Sequence, residues 1–172
     1  MNIILETERL LFREFTINDT PFIIELLNTE GWIKNIGDRN IKTMVDAEQY
    51  LLNGPIKSYA TNGFGLSCVT LKDGTPIGMC GLIKRDSLPH IDIGYAFLPA
   101  YAGKGYAFEI TSDVLRYAFN TLKQEKILAI TLPGNTDSVK LIKKLGMQFE
   151  KTFTDATTNE ILAMYGIYNT RR

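Results

Sequence analysis

A chain of 172 residues with 19 Lys+Arg against 19 Asp+Glu carries a formal net charge of +0, which removes any general pull toward nucleic acid. Hydrophobic residues make up 45% and charged residues 22%, a balance that fits a folded globular domain and excludes a disordered chain. At this length folding buries roughly 70% of the unfolded chain's surface, enough for a core without disulfide staples. The two cysteines, Cys68 and Cys80, stand in neither C-x-x-C nor metal-finger spacing, which points to a reducing, cytoplasmic setting and to no metal. No run approaches the roughly 18 apolar residues of a membrane span, and residues 1–8 lack the basic start and apolar stretch of a secretion signal. The expectation is one domain over residues 1–172 with no nucleic-acid or membrane partner. Homo-oligomerisation is left open.

In chain order, the alternation of Leu10 and Phe12 against Leu11 and Arg13 predicts a strand over 8–15. Asn18-Asp19-Thr20-Pro21 starts a helix that runs through Leu26-Leu27. Residues 31–40 read as irregular. Thr43 caps a second helix, which Gly54-Pro55 breaks, and a short helix follows to Ala60. Strands at 64–71 and 76–83 flank the hairpin turn Lys72-Asp73-Gly74-Thr75. A strand follows over 90–98. Helical spacing of Ile110, Val114 and Ala118 marks 105–122. A strand at 127–132, a helix at 135–145 stopped by Gly146, and strands at 147–154 and 161–168 complete the chain. A hairpin-rich first half joined to a βαβαβ second half implies an α/β (α+β) fold: a single mixed sheet with helices on both faces.

The densest signal is Phe97-Leu98-Pro99-Ala100-Tyr101-Ala102-Gly103-Lys104-Gly105-Tyr106-Ala107, between a strand and the N-terminus of a long helix. Helix-start N–H groups lack intrahelical partners and sit at the positive end of the dipole. Two glycines let backbone approach an anion such as a phosphate or diphosphate. A turn that uses glycine for conformation alone fits the loop in isolation equally well. Two nucleotide motifs are excluded. No G-x-x-x-x-G-K-[ST] exists, and a dinucleotide fingerprint starting at Gly103 would place bulky Phe108 where a small residue is required.

The stretch Ile93-Gly94-Tyr95 … Leu98-Pro99 … Gly103-Lys104-Gly105-Tyr106-Ala107-x-Glu109 resembles the acetyl-CoA loop of the GNAT N-acetyltransferase superfamily, most closely its RimJ/RimL-like branch. Glu6-Thr7-Glu8-Arg9-Leu10-x-x-Arg13 resembles that branch's first strand, and Pro76-Ile77-Gly78 … Gly81 its third. Asn135-x-x-Ser138 followed by Lys144-Leu145-Gly146-Met147 resembles its N-x-x-S … K-x-G-F/M segment. The match spans nearly the whole chain in order. One departure is Ala100, where the superfamily pattern carries Gln or Arg.

The resemblance implies a largely antiparallel, twisted GNAT-type sheet. It also implies transfer of acetyl from acetyl-CoA, as co-substrate, to a primary amine of a small molecule or peptide. The cofactor would meet Phe97, Leu98, Gly103, Lys104, Gly105, Tyr106, Ala107, Asn135 and Ser138. Asp92, on the strand face shared with Gly94, Ala96 and Leu98, is the candidate base, placed at the rim of a cleft beside small residues. An exposed strand-end carboxylate is the equal alternative, and His90 is a second, loop-edge candidate. Ser138 is the candidate donor to the CoA sulfur or a helix-start residue; Asn135 contacts the pantetheine amide or caps the helix. Lys104 neutralises a phosphate or is solvated. Glu109 reads as structural, Lys140, Lys143 and Lys144 as dipole partners and surface, and Cys68 and Cys80 as core. Trp32 is an acceptor wall or a core plug. Two other function classes stay open: a non-catalytic acyl-CoA sensor, and an interaction domain with an incidental glycine loop.

Overall fold

The N-terminal segment is a hairpin rather than the one strand expected over 8–15. Strand β1 (Ile3–Glu6) turns at residues 7–9 and pairs antiparallel with β2 (Leu10–Arg13). The computed structural model describes residues 2–170. After β2 come α1 (Thr20–Leu27), α2 (Glu30–Asn35), α3 (Met44–Leu51) and α4 (Lys57–Asn62). Then follow β3 (Leu66–Leu71), β4 (Pro76–Ile83), β5 (Asp92–Phe97), α5 (Tyr106–Asn120), β6 (Lys126–Thr131), α6 (Thr136–Lys144), β7 (Gln148–Thr154) and β8 (Ile161–Tyr168).

Two local expectations fail for identifiable reasons. Residues 31–40 are not wholly irregular: the Thr29 hydroxyl accepts from the Trp32 N–H and starts α2, whose Trp32 is buried. Gly54-Pro55 does not break the helix. Residues 52–56 widen into a π-type turn that carries α3 into α4. The longer hydrogen-bond spacing makes room for the ring and for its missing N–H, and Pro55 is buried there.

The eight strands form one sheet in the order β1-β2-β3-β4-β5-β6-β8-β7. All neighbours are antiparallel except β5 and β6, which are parallel and share one pairing, Asp92 with Leu128. The sheet is thus mixed and largely antiparallel. Helix α5 covers one face through Ile110, Val114, Leu115 and Ala118, packed with Val69, Leu82 and Ile127 and with Ile142 of α6. Helices α1 and α3 cover the other face, with Phe22, Ile23, Leu26 and Leu51 against Cys68, Met79 and Leu98. Each such fully buried aliphatic side chain contributes about 1.5–3 kcal/mol of transfer free energy.

Strands β3 and β4 approach closely at Gly81. A Cβ there would lie 2.2 Å from the Gly65 carbonyl oxygen, so only glycine fits. Beside β2, Arg13 and Asp19 form a buried, two-pronged ion pair at 2.7 and 2.8 Å, and the Thr16 N–H also donates to Asp19 at 2.8 Å. That cluster ties the strand to the start of α1.

Candidate active site

Strand β5 leads into the loop and defines the site. Its side chains alternate as expected: Ile93, Tyr95 and Phe97 join the α5 side, while Ala96 and Leu98 join the α1–α3 side. Its backbone alternates too. The Ile91 carbonyl accepts from Leu128 of β6 at 2.9 Å, and the Leu98 N–H donates to Ile77 beside it in β4, also at 2.9 Å. Successive residues of a strand direct their polar groups to opposite neighbours. Tyr95 and Phe97 therefore aim their N–H and C=O groups at β6. Beyond Asp92 and Leu128, β5 and β6 no longer pair. The strands part into a slot with unpaired backbone along its β5 wall.

At the open end of the slot lies the glycine loop. Residues 99–101 make a single 3-10 turn, and Gly103 and Gly105 take left-handed conformations (φ +71° and +81°). Gly105 is the N-cap of α5. The N–H of Glu109 reaches the Gly105 carbonyl at 3.0 Å, so the helix-start donors are those of Gly105, Tyr106, Ala107 and Phe108. Three cations lie over aromatic rings of the loop and the first turn of α5. The Lys104 ammonium lies 5.5 Å from the Tyr101 ring centre, Arg9 lies 4.5 Å from that of Tyr106, and Lys144 lies 4.2 Å from that of Phe108. Lys144 is thus more than a partner of its own helix dipole. This donor set, with two left-handed glycines and three cations, fits the diphosphate of a CoA thioester.

Leu98 offers a cofactor little free polarity. Its N–H serves Ile77, its carbonyl accepts from Tyr101 at 3.0 Å, and its side chain is buried in the α1–α3 cluster. Ala100 is exposed and offers no polar side chain. Asn135 caps α6: its side-chain oxygen accepts from the Ser138 N–H at 3.3 Å, leaving its amide N–H pair for a ligand. Ser138, in the first turn of α6, is half-buried, and its hydroxyl meets the Tyr95 hydroxyl at 2.9 Å. The Tyr95 hydroxyl also lies 3.3 Å from the Ser138 carbonyl. Burial pushes the Tyr95 phenol up to about 12 against the opposing effect of its bond to Ser138, so it is a protonated donor at neutral pH.

Asp92 does not stand at an exposed rim. It is 1% exposed, at the closed end of the slot, and its carboxylate accepts from Arg85 Nε at 2.9 Å. Burial raises its pKa, and the Arg85 guanidinium only partly offsets this. Arg85 also acts electrostatically on Asp155, in the turn between β7 and β8. His90 is exposed and precedes β5, outside the sheet. By the alternation of β5, Asp92 faces away from Tyr95 and so lies on the face of the sheet opposite Ser138. Sequence reasoning missed Tyr95, Arg85 and Arg9. Tyr95 and Arg9 stood within the stretches that carry the family resemblance, and alternation set Tyr95 on the face opposite Asp92, but neither was given a role; nothing local marked Arg85.

The remaining candidates are structural. Glu109 is held by Thr7 and Arg9. Cys68 and Cys80 are fully buried; burial pushes the Cys68 thiol up to about 12 and raises that of Cys80 as well, so neither is a nucleophile at neutral pH. Trp32 is a core residue at 6% exposure. No group of three or more His, Cys, Asp or Glu is placed to hold a metal among the described residues, and no helix there is long and apolar enough to cross a membrane.

A family model described as an acetyltransferase (GNAT) domain matches residues 9–148. The chain belongs to the GNAT acetyltransferase family. Among relatives, an N-acetyltransferase of Bacillus subtilis, YnaD, is 29% identical over 149 residues, covering 87% of this chain and 85% of its own. A GNAT-family acetyltransferase of Bacillus anthracis superposes with TM-score 0.79 at 28% identity, covering 98% of both chains. RimL, a ribosomal L7/L12 α-N-protein acetyltransferase solved with coenzyme A, shares the fold at TM-score 0.82 and 14% identity, covering 97% of this chain and 98% of its own. This GNAT domain is an acetyl-CoA-dependent acetyltransferase, with the resemblance to the RimJ/RimL-like branch extending to overall fold.

Proposed function

We propose that this GNAT domain transfers acetyl from acetyl-CoA to a primary amine by direct attack in a ternary complex, the amine being that of a protein N-terminus, a peptide or a small molecule. The observation that carries this reading is the slot between β5 and β6, with an anion-binding helix start at its mouth, paired hydroxyls on one face and a buried carboxylate at its closed end. The unpaired backbone of Tyr95 and Phe97 supplies donors and acceptors for the pantetheine amides, and the side-chain N–H groups of Asn135 add to them. The Gly103–Ala107 backbone and Lys104 take the diphosphate.

An alkylammonium has pKa near ~10.4, and only the neutral amine attacks. Asp92 accepts the ammonium proton through water; its raised pKa makes it a stronger base than a surface carboxylate. The nitrogen lone pair then forms the C–N bond at the acetyl carbon. The C–S bond breaks and its electron pair leaves on sulfur. The Ser138 hydroxyl donates its proton there and recovers one from the attacking nitrogen, which is cationic after attack and becomes the neutral amide. The proton held by Asp92 returns to solvent. Tyr95, protonated and bonded to Ser138, orients that hydroxyl.

Saturating acetyl-CoA should raise the melting temperature, since ligand at 100 times Kd adds ~2.7 kcal/mol to the folded state. Gly103→Val should abolish that shift and leave the apo transition within a few degrees of wild type. Gly103 has no neighbour within 4 Å of a built Cβ, so the damage is confined to the left-handed turn. An unchanged shift in the variant would remove the loop from the site. An amine panel read by release of free thiol tests the transfer itself; binding without thiol release would mark a sensor.

Ser138→Ala should lower kcat by ~10-fold, about 1.4 kcal/mol of transition-state stabilisation. The effect is modest because a thiolate of pKa near ~8.5 is already a fair leaving group. Asn135 is the cap of α6, so stability should scarcely change. Ser138→Cys, which keeps a donor, should recover part of the rate. Wild-type kcat in both variants would leave Ser138 without a chemical role.

A further inference from the structure

We infer that Arg9, carried on the turn between β1 and β2, is a positioning residue of the loop that receives the diphosphate of acetyl-CoA. This rests on reading residues 103–107 as the diphosphate site. The turn holding Arg9 is fixed by its own bonds: the Leu10 N–H donates to the Thr7 hydroxyl oxygen at 3.0 Å, and the Thr7 N–H donates to the Leu10 carbonyl at 3.0 Å. From there three donors converge on Glu109 in the first turn of α5. They are the Thr7 hydroxyl at 2.6 Å, the Arg9 N–H at 3.0 Å and the Arg9 Nε at 2.6 Å. The other edge of the guanidinium donates to the Lys104 carbonyl at 3.0 Å, and its plane lies over Tyr106. Among the described residues, Arg9 is the only side chain from outside the loop and α5 that bonds the backbone of residues 99–108.

Two consequences follow for an anion. Glu109 alone would set a carboxylate in the helix turn that must receive a diphosphate. Arg9 neutralises it and turns the local balance positive, together with Lys104. The bond to the Lys104 carbonyl also holds the peptide between the two left-handed glycines in one orientation. A Cβ on Gly105 would lie 3.3 Å from the second terminal nitrogen of Arg9, so that nitrogen borders the helix-start donors. Ala100 supplies no polar group to the loop, which leaves this task to the hairpin.

The test compares the dissociation constants of coenzyme A and of pantetheine, which lacks the nucleotide and diphosphate, by calorimetric titration of wild type, Arg9→Ala and Arg9→Lys. Arg9→Ala should weaken coenzyme A by about 10- to 100-fold, the range for loss of one or two hydrogen bonds to charged groups. Pantetheine affinity should stay within twofold of wild type. Arg9→Lys keeps the charge without the planar fork and should fall between. Undiminished coenzyme A affinity in Arg9→Ala, or an equal loss for pantetheine, overturns the inference while leaving the proposed transfer intact. Failure of the wild-type protein to bind coenzyme A overturns the reading of the loop and the inference with it.

Discussion

Asp92→Asn should lower kcat/KM for a good amine acceptor by at least ~10², the low end of general-base assistance, with little change in acetyl-CoA affinity. The reason is the pairing of deep burial with a position at the closed end of the slot. Burial raises the folded-state pKa of Asp92 above its unfolded value, despite Arg85. Such a shift is stabilising in full only below the unfolded pKa and is lost as pH rises through the folded one. Once ionised, the buried carboxylate is therefore a net cost to folding, which the uncharged Asn does not carry. The Asp92→Asn melting temperature should match or exceed that of wild type at pH 7, so a loss of rate cannot be assigned to unfolding. The acid limb of kcat/KM should sit above the range of a surface carboxylate in wild type and vanish in the variant. Wild-type rates across the pH range would show that water alone accepts the proton.

Asp19→Asn should be the most destabilising of the conservative changes. Both members of the Arg13–Asp19 pair are nearly sealed, at 7% and 9% side-chain exposure. Removing one charge of a buried pair strands the other and costs about 3–5 kcal/mol. In a chain of this size that is about 10 °C of melting temperature. Burial by itself would raise the Asp19 pKa, but the bonds from Arg13 and from the Thr16 N–H outweigh it and lower the pKa. Its contribution is thus present above the unfolded carboxylate pKa and lost as pH falls through the lower folded value. Wild type should lose this increment only in strong acid, and Asp19→Asn should show a correspondingly flatter acid limb of stability. The double variant Arg13→Met/Asp19→Leu should recover most of the loss, because two apolar side chains leave no charge behind. A melting temperature for Asp19→Asn within 2 °C of wild type would remove the pair from the stability of the fold.

The faces of β5 and the glycine loop were readable beforehand. The alternation of 92–98 placed Asp92 with Ala96 and Leu98, and Tyr95 with Phe97, and the structure keeps that division. Gly103 and Gly105 announced a turn from strand to helix, and both take left-handed conformations there. These are properties of short segments, where spacing and backbone freedom act within a few residues. The extent of α3 and α4 was not readable, because Pro55 is tolerated only where packing supports a wider helical turn.

The sequence by itself determined the order of strands and helices from α3 onward, the glycine loop at the start of α5, and the face of β5 on which each side chain lies. Only the tertiary structure decided depth and partners. Alternation assigns a face but does not say what covers it, so the burial of Asp92 under Arg85 had to be seen. Ser138 is joined to Tyr95 across 43 residues and Glu109 to Arg9 across 100. Those contacts depend on β5 parting from β6, on α6 packing beside the slot, and on the β1–β2 hairpin reaching α5. Each is set by which surfaces bury one another in the whole fold, a free energy that no local segment carries.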